Sequence, residues 1–447
     1  MSGVAIVGGG IIGLSIAWRL VRDGVDVVVL DGGEDGAWQV AAGMLAPGGE
    51  AAFEHPALGR LLDRSAALWP AFAESLGADV GYDDAGTLSL AMTADDLAEA
   101  ARVWHRRRGS GSPCRPEDQA PVTAQHRKGS DSPCRPEDQA PVIAQLRPSE
   151  LRALEPAISP RIRAGVHAPG ERQVDPRRVV AALRDRLGGR VVSRRVESLA
   201  EVDAATVVVA AGCGTAALTG LPVRPVKGQI LRLRGEPGLI RHVLDATVDG
   251  RHVYLVPRAD GEIVVGATQE ERSDHTVTAG GVHELLRAAL DLVPELAELA
   301  LVETTAGHRP GTPDNAPLLG WLDDRVLVAA GHHRNGVLLA PVTADLIAGL
   351  VVTGEADPML ADFAPGRFRA ASPAGNARAE LAPGSAPADL APGRFRADLA
   401  PGGFRADFAS GGFRADLAPG RFRADSAAGE VPRRLRADFA PRGSACG

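Results

Sequence analysis

Val4-Ala5-Ile6-Val7-Gly8-Gly9-Gly10-Ile11-Ile12-Gly13 is a short β-branched run broken by glycines. The stretch that follows, Leu14 to Leu20, is apolar at helical spacing. Gly8-x-Gly10-x-x-Gly13 therefore stands in the strand–turn–helix setting that a dinucleotide fingerprint requires. Gly8 permits the tight turn, Gly10 lets the backbone approach a pyrophosphate, and Gly13 lets helix and strand pack closely. The helix N-terminus then offers N–H groups and the positive end of its dipole to phosphates. Asp23-Gly24 turns the chain into a second strand, Val25 to Leu30, which ends at Asp31. A carboxylate there can accept hydrogen bonds from a ribose hydroxyl pair. This pattern implies an α/β, Rossmann-like domain that holds an adenine dinucleotide.

Further strands and helices extend the pattern. After a glycine-rich loop, Val40 to Pro47 offers small residues against which a flat group can lie. Residues 56–76 have the 3–4 spacing of an amphipathic helix. Tyr82 to Met92 reads as two short strands, and Thr93 as the N-cap of a helix over Ala94–Arg107. Ser149 is placed to cap a short helix that stops before Pro156, and Arg177 to Leu187 forms another helix. Val191-Val192 and Val196 read as a strand. Ala205 to Gly212 is a continuous apolar strand, suited to a parallel sheet buried on both faces. Its small-residue end is expected beside the Gly8 turn. Arg251–Val256 and Gly261–Ala267 form a hairpin, Gly281–Leu299 a helix interrupted by Pro294, and Val326–Ala330 a strand. Gly331-His332-His333-Arg334-Asn335-Gly336 leads into a long apolar helix from Val337 to Val352.

Two segments depart from this pattern. Residues 109–128 recur almost unchanged as 129–148, a proline-rich tandem duplication that reads as a lengthened surface loop. Beyond about Asp357 a nine-residue unit, Ala-Asp-Leu/Phe-Ala-Pro-Gly-Arg-Phe-Arg, begins at Ala388, Ala397, Ala406 and Ala415, with degenerate copies at Ala361, Ala424 and Ala437. Pro and Gly in each unit prevent a stacked core, so residues 357–447 read as a disordered repeat tail.

The bulk numbers narrow the class. A chain of 447 residues with formal charge -7 gives no reason to expect nucleic-acid or membrane binding. No run of about eighteen uncharged apolar residues marks a transmembrane helix. Gly8 to Gly10 interrupt any signal-like N-terminus. The 4 cysteines suit neither a disulfide scaffold nor a metal site, so a reducing, cytoplasmic setting and no metal are expected.

Several motifs in order carry a family likeness: the Gly8–Gly13 turn, Ala41-Ala42-Gly43-Met44-Leu45, Pro225-Val226-Lys227-Gly228-Gln229, His252 to Arg258, Val265-Gly266-Ala267-Thr268, Gly307 to Thr312, and Ala330 to Pro341. Through about Leu350 the chain resembles the glycine/D-amino-acid oxidase family of flavoproteins. The resemblance implies non-covalent FAD in a glutathione-reductase-type domain, with an inserted α+β substrate domain. It places the FAD domain at 1–80, 168–222 and 307–356, and the substrate domain at 81–167 and 223–306, its antiparallel sheet roofing the flavin.

By the same resemblance, Gly8, Gly10, Ile11, Ile12, Gly13 and Asp31 serve the ADP half of FAD. Ala42, Gly43 and Met44 line the flavin ring, Val196 contacts the adenine side, and Gly212 borders the cofactor. His332, His333, Arg334, Asn335, Gly336, Val337 and Leu338 close over the ring, where a helix starting near Gly336 aims its N-terminus. Arg309, expected in a tight loop, and Arg334 belong to the substrate pocket with Tyr254 and nearby His252. Gln269 occupies a position where the family's glycine oxidase has an apolar Met. The implied activity is oxidation of glycine, small amines or D-amino acids to the imine and glyoxylate, with O2 reduced to H2O2. A homo-oligomer and a hand-off to thiazole synthase in thiamine synthesis are also implied.

Overall fold

The computed structural model describes residues 3–33, 36–48, 55–93, 95–98, 144–248 and 250–368. Most of the helix expected at Ala94–Arg107, the duplicated loop through residue 143 and the repeats beyond Phe368 lie outside them. The described residues belong to one compact unit, Met1–Ala374.

In chain order its first half contains β1 (Val4–Val7), α1 (Ile11–Arg22), β2 (Val27–Asp31), β3 (Met44–Leu45), α2 (Pro56–Leu76), β4 (Thr87–Ala91), β5 (Ala144–Leu146), α3 (Pro148–Leu154), β6 (Ala164–Ala168) and β7 (Arg172–Gln173). Then come α4 (Pro176–Leu187), β8 (Val191–Ser193), β9 (Thr206–Val209), α5 (Thr215–Thr219), β10 (Arg224–Arg234), β11 (Val243–Val248), β12 (Arg251–Pro257) and β13 (Glu262–Gly266). The last are α6 (Ala279–Leu292), β14 (Ala300–Gly311), β15 (Leu318–Trp321), β16 (Val326–Ala330) and α7 (Ala340–Thr353).

A six-stranded sheet runs β15-β16-β9-β1-β2-β8. All its pairings are parallel except β15 with β16. Its strands are apolar on both faces: α1, α2, α4 and α7 cover one, with Trp69, Leu14 and Ile6 fully enclosed, and Leu199, Val202, Leu218 and Leu322 pack against the other. Val7 pairs with Val209, and Ala210 N–H donates to Val7 O, so the small-residue end of β9 does lie beside the Gly8 turn. The second sheet has eight strands, ordered β14-β10-β13-β12-β11-β4-β6-β5. It is antiparallel except where β4 lies parallel to β11, which corrects the expectation of a purely antiparallel roof.

Several expected boundaries move. Residues 300–311 are one long strand paired along β10, so a division at 306/307 would cut through β14; one at 167/168 would cut β6. Arg309 therefore sits on a strand rather than in a tight loop. The apolar helix begins at Ala340 rather than Val337, with Pro341 in its first turn, where a missing N–H costs nothing. Pro294 ends α6 and starts a 3-10 turn. Arg147, not Ser149, is the N-cap of α3, and Glu150 accepts from its N–H. Val196 lies outside β8.

The tail boundary is also corrected. Pro358–Phe363 and Pro365–Phe368 form 3-10 turns packed on α2 and β15. Phe363 is 1% exposed, and burying such a ring contributes roughly 1.5–3 kcal/mol. A single unit with Pro and Gly builds no core of its own, yet it can lend its apolar side chains to an existing one. Among the described residues no helix is long and apolar enough to cross a membrane.

Candidate active site

The carboxyl ends of the parallel strands open onto a cavity of about 1520 Å³ that continues beneath the second sheet. A drug-sized ligand fills roughly 300–1,000 Å³. This space accommodates a dinucleotide with a small substrate beside it.

Every sequence-derived site residue except Gly13 lines the cavity. Gly13 is buried below it, where a Cβ would strike the Gly8 carbonyl oxygen. Gly8 has φ +120, and a Cβ there would come within 2.7 Å of the Ala210 carbonyl carbon. Gly10 differs. Its backbone is extended, and a Cβ would meet only Trp38 Cδ1, at 3.7 Å. What that Cβ would fill is open cradle at the N-terminus of α1, whose first turn carries no acidic side chain. These features fit an anionic pyrophosphate.

Asp31 ends β2 as expected, but sequence reasoning missed its partner. Arg184 Nη2, on α4, lies 2.5 Å from Asp31 Oδ2 and also donates to Gly9 O at 3.0 Å. Gly33 N–H donates to Asp31 Oδ1. Val196 and Gly212 complete this end of the cavity.

At the other end, Ala42, Gly43 and Met44 form the floor. Arg258 holds it, donating to Ala42 O at 2.5 Å and to Gln173 Oε1 at 2.7 Å. A second clamp joins the sheets: Arg177 on α4 makes a two-pronged pair with Glu303 on β14, at 2.6 and 2.9 Å, and its Nε–H donates to Gln39 O. The Arg177 guanidinium thereby holds the Glu303 carboxyl below its ordinary range despite partial burial.

Above the floor, Tyr254 projects from β12 and its ring packs over Gly266 on β13. Arg309, from β14, reaches across β10 and donates to Thr268 O at 3.2 Å and Lys227 O at 3.4 Å. No carboxylate pairs with it among the described residues. Burial pulls the Arg309 guanidinium below its ordinary pKa; the Tyr254 phenol opposes this, and the charge of Arg334 adds to it. Burial raises the Tyr254 phenol, while Arg309 and Arg334 pull it down. Both effects mark one electrostatic group of phenol and guanidinium. Beneath it, Lys227 is wholly buried and bonds Asp274 Oδ1 at 2.9 Å, pinning the loop after β13.

The remaining candidates divide. His252 is exposed at the cavity mouth, its Nε2 2.6 Å from Asp245 Oδ1. Arg334 is exposed, unlike Arg309. His332 is buried, with Nε2 at 3.1 Å from Thr343 Oγ1, and burial drives its pKa down to about 3. His333 adopts a left-handed backbone, φ 49, that turns the chain over the cavity. Burial, reinforced by Arg309, lowers its pKa to about 4. Both rings are neutral near pH 7. Gly336, Val337 and Leu338 face the cavity as a turn. Leu338 O accepts from Ser65 Oγ–H and Trp69 Nε1–H, which fixes that turn on α2. The helix start at Ala340 thus lies beyond Gly336, where its N-terminus was expected, and the N–H groups of Leu339 and Ala340 are already spent on Asn335 O and Val337 O.

A glycine cradle at the head of α1, a carboxylate at the end of β2 and a long cavity between two sheets define a dinucleotide-binding protein with room for a small substrate beside the nucleotide. Residues 3–350 match the DAO family of FAD dependent oxidoreductases, and the chain belongs to it. It is 33% identical to the glycine oxidase of Geobacillus kaustophilus, over 80% of this chain and 95% of that one. The crystal structure of glycine oxidase from Geobacillus kaustophilus superposes with a TM-score of 0.70 at 31% identity, covering 81% of this chain and 98% of that one. The bifunctional protein ThiO/ThiG of Synechocystis sp. is 33% identical over 82% of this chain. The chain spans only about half, 54%, of that relative's length. FAD is the cofactor of this family, and the glycine cradle fits it.

Proposed function

We propose that the chain oxidises glycine, and other small amines or D-amino acids, to the imine while dioxygen becomes hydrogen peroxide. The observation that supports this most is Arg309, a half-buried guanidinium facing the cavity with no carboxylate partner among the described residues. An amino-acid carboxylate supplies the missing charge, and a guanidinium can hold it with two parallel bonds. The Tyr254 hydroxyl is placed to donate a further bond to the same carboxylate. Charge-assisted bonds of this kind contribute roughly 1.5–3 kcal/mol each.

Anchored there, the substrate's Cα is held over the floor formed by Ala42, Gly43 and Met44. That is a positioning effect, which converts an encounter into an aligned reaction. FAD held between the Gly10 cradle and this floor would supply the two-electron acceptor for the Cα–H bond and the route of those electrons to dioxygen. The substrate amine must be neutral, its ammonium giving its proton to solvent; His332 and His333, lowered by burial to about 3 and about 4, are too weakly basic to take it. Water hydrolyses the released glycine imine to glyoxylate and ammonia. In this reading the six-stranded sheet and its helices bind FAD, and the eight-stranded sheet forms the substrate side. The fused ThiO/ThiG relatives support a further step, hand-off of the imine to a thiazole synthase. One peroxide released per glycine consumed tests the oxidase reading; electrons delivered to a quinone with no peroxide would make the chain a dehydrogenase.

One observation favours a second reading. Gln269 is exposed at the cavity rim, so the mouth is polar. Larger D-amino acids or sarcosine are then the alternative substrates. A higher kcat/KM for one of them than for glycine would establish it.

A further inference from the structure

The copy at Ala361 is a full one rather than degenerate: residues 361–368, Ala-Asp-Phe-Ala-Pro-Gly-Arg-Phe, are the first eight positions of the nine-residue unit that recurs downstream. Residues 388–396 and 415–423 both read Ala-Asp-Leu-Ala-Pro-Gly-Arg-Phe-Arg and differ from 361–369 only by Leu in place of Phe363. The copy at 361–368 is seated in a groove, and its contacts show what the recurring positions do. Phe363 is buried and stacks on His55, ring centres 5.8 Å apart. Pro365 is buried over Gly320, where a Cβ would come 3.6 Å from the proline Cδ. Arg367 grips Asp314 with two bonds, Nε to Oδ2 at 2.9 Å and Nη2 to Oδ1 at 3.0 Å. Its Nη2 also donates to Ala316 O at 2.9 Å. The guanidinium lies 4.5 Å from the centre of the Phe368 ring, which packs toward Leu318 and Val328.

The groove is therefore built by His55, Asp314, Ala316 and Gly320, none of which belongs to the unit. Every side chain the unit uses to fill it recurs at 388–396 and 415–423: an apolar residue (Leu390, Leu417), a proline (Pro392, Pro419), an arginine (Arg394, Arg421) and a phenylalanine (Phe395, Phe422). Leu for Phe keeps the buried position apolar at somewhat smaller volume.

We propose that this groove is a docking site for the nonapeptide unit as such, and that units carried by a second copy of the chain enter it in exchange for residues 361–368. The count argues for a second copy. Each chain offers one such groove among its described residues, but carries intact units at Ala388 and Ala415 and close variants at Ala397 and Ala406. A surplus unit that displaces residues 361–368 of another copy links the two chains. The resident unit is tethered beside its groove, which gives it a high effective concentration. Exchange is accordingly weak in the unaltered chain and grows with protein concentration.

The full chain carrying Phe363→Ala and Arg367→Ala empties the groove without touching its walls. A fluorescent synthetic peptide with the sequence of residues 388–396 should bind this variant at least tenfold more tightly than the unaltered chain, measured by anisotropy. Adding Asp314→Arg should abolish binding, and a peptide with Asp in place of its arginine should restore it. In sedimentation velocity the double variant should form concentration-dependent oligomers. Equal binding of a scrambled peptide overturns the groove. So does failure of the double variant to bind while its flavin content and melting are native-like. Peptide binding by a variant that stays monomeric at every concentration overturns the assignment to a second copy.

Discussion

Arg309 lies over Gly228. The two residues sit on paired strands, and a Cβ at position 228 would come 2.6 Å from the guanidinium carbon. The glycine is what lets the cation reach across β10 into the cavity. Gly228→Ala should therefore displace Arg309 and raise KM for glycine about tenfold, with flavin content unchanged. Arg309→Ala should raise it about 100-fold, roughly 2.8 kcal/mol at 1.4 kcal/mol per tenfold. An unaltered KM in both variants would place the carboxylate anchor elsewhere.

Tyr254→Phe removes one hydroxyl from the same group. The expected loss is about tenfold in kcat/KM for glycine, consistent with one hydrogen bond to a charged group. Because burial raises the phenol's pKa against the pull of Arg309, it stays protonated up to at least its ordinary value of 10.0. The pH profile of the Phe variant should therefore keep the native shape below that pH. A lost ionisation in the neutral range would show instead that the phenol titrates during turnover.

The glycine turn offers a test that separates cofactor binding from folding. At Gly8 and Gly13 an added Cβ meets protein backbone, so Ala there disrupts the fold. At Gly10 the nearest protein atom is 3.7 Å away, and only the cofactor is expected in the space. Gly10→Ala should leave the melting temperature of the flavin-free protein unchanged while weakening FAD binding at least tenfold. FAD binding equal to the native chain would show that the pyrophosphate lies elsewhere.

Much of this was legible in the sequence because it depends on local pattern. Strand, glycine turn, helix and second strand gave the nucleotide fold, since each follows from spacing and side-chain type within about thirty residues. The apolar run at 206–209 announced a strand buried on both faces. What was not legible depended on partners far apart in the chain. The Arg184–Asp31 and Arg177–Glu303 pairs join residues 153 and 126 positions apart, and no local pattern marks them. Arg309 was legible as a candidate, but its strand was not, because Gly307, Pro310 and Gly311 read locally as a turn. The pairing with β10 overrides that preference. Phe363 was misread for the converse reason: its unit carries loop-forming residues, and only the groove around His55 and Asp314 orders it.

His332 predicts how the fold responds to acid. Its imidazole, buried against Thr343, takes a proton only near pH 3 in the folded chain but near 6.5 when unfolded. The unfolded state thus binds the proton first, and stability is lost as pH falls below 6.5, by up to roughly 1.4 kcal/mol per pH unit. His332→Gln should melt at a temperature that falls less between pH 6.5 and 4 than that of the native chain. Identical acid slopes for the two proteins would mean that His332 is not the group responsible.

The most direct test of the central claim is the visible spectrum of the purified protein before and after anaerobic addition of glycine. The expected result is a flavin spectrum that bleaches with glycine and recovers in air with release of peroxide, with Arg309→Ala needing far more glycine to bleach. A flavin spectrum indifferent to glycine and restored to activity only by another amine would contradict glycine as the substrate, and a protein unable to take up FAD would contradict the site itself.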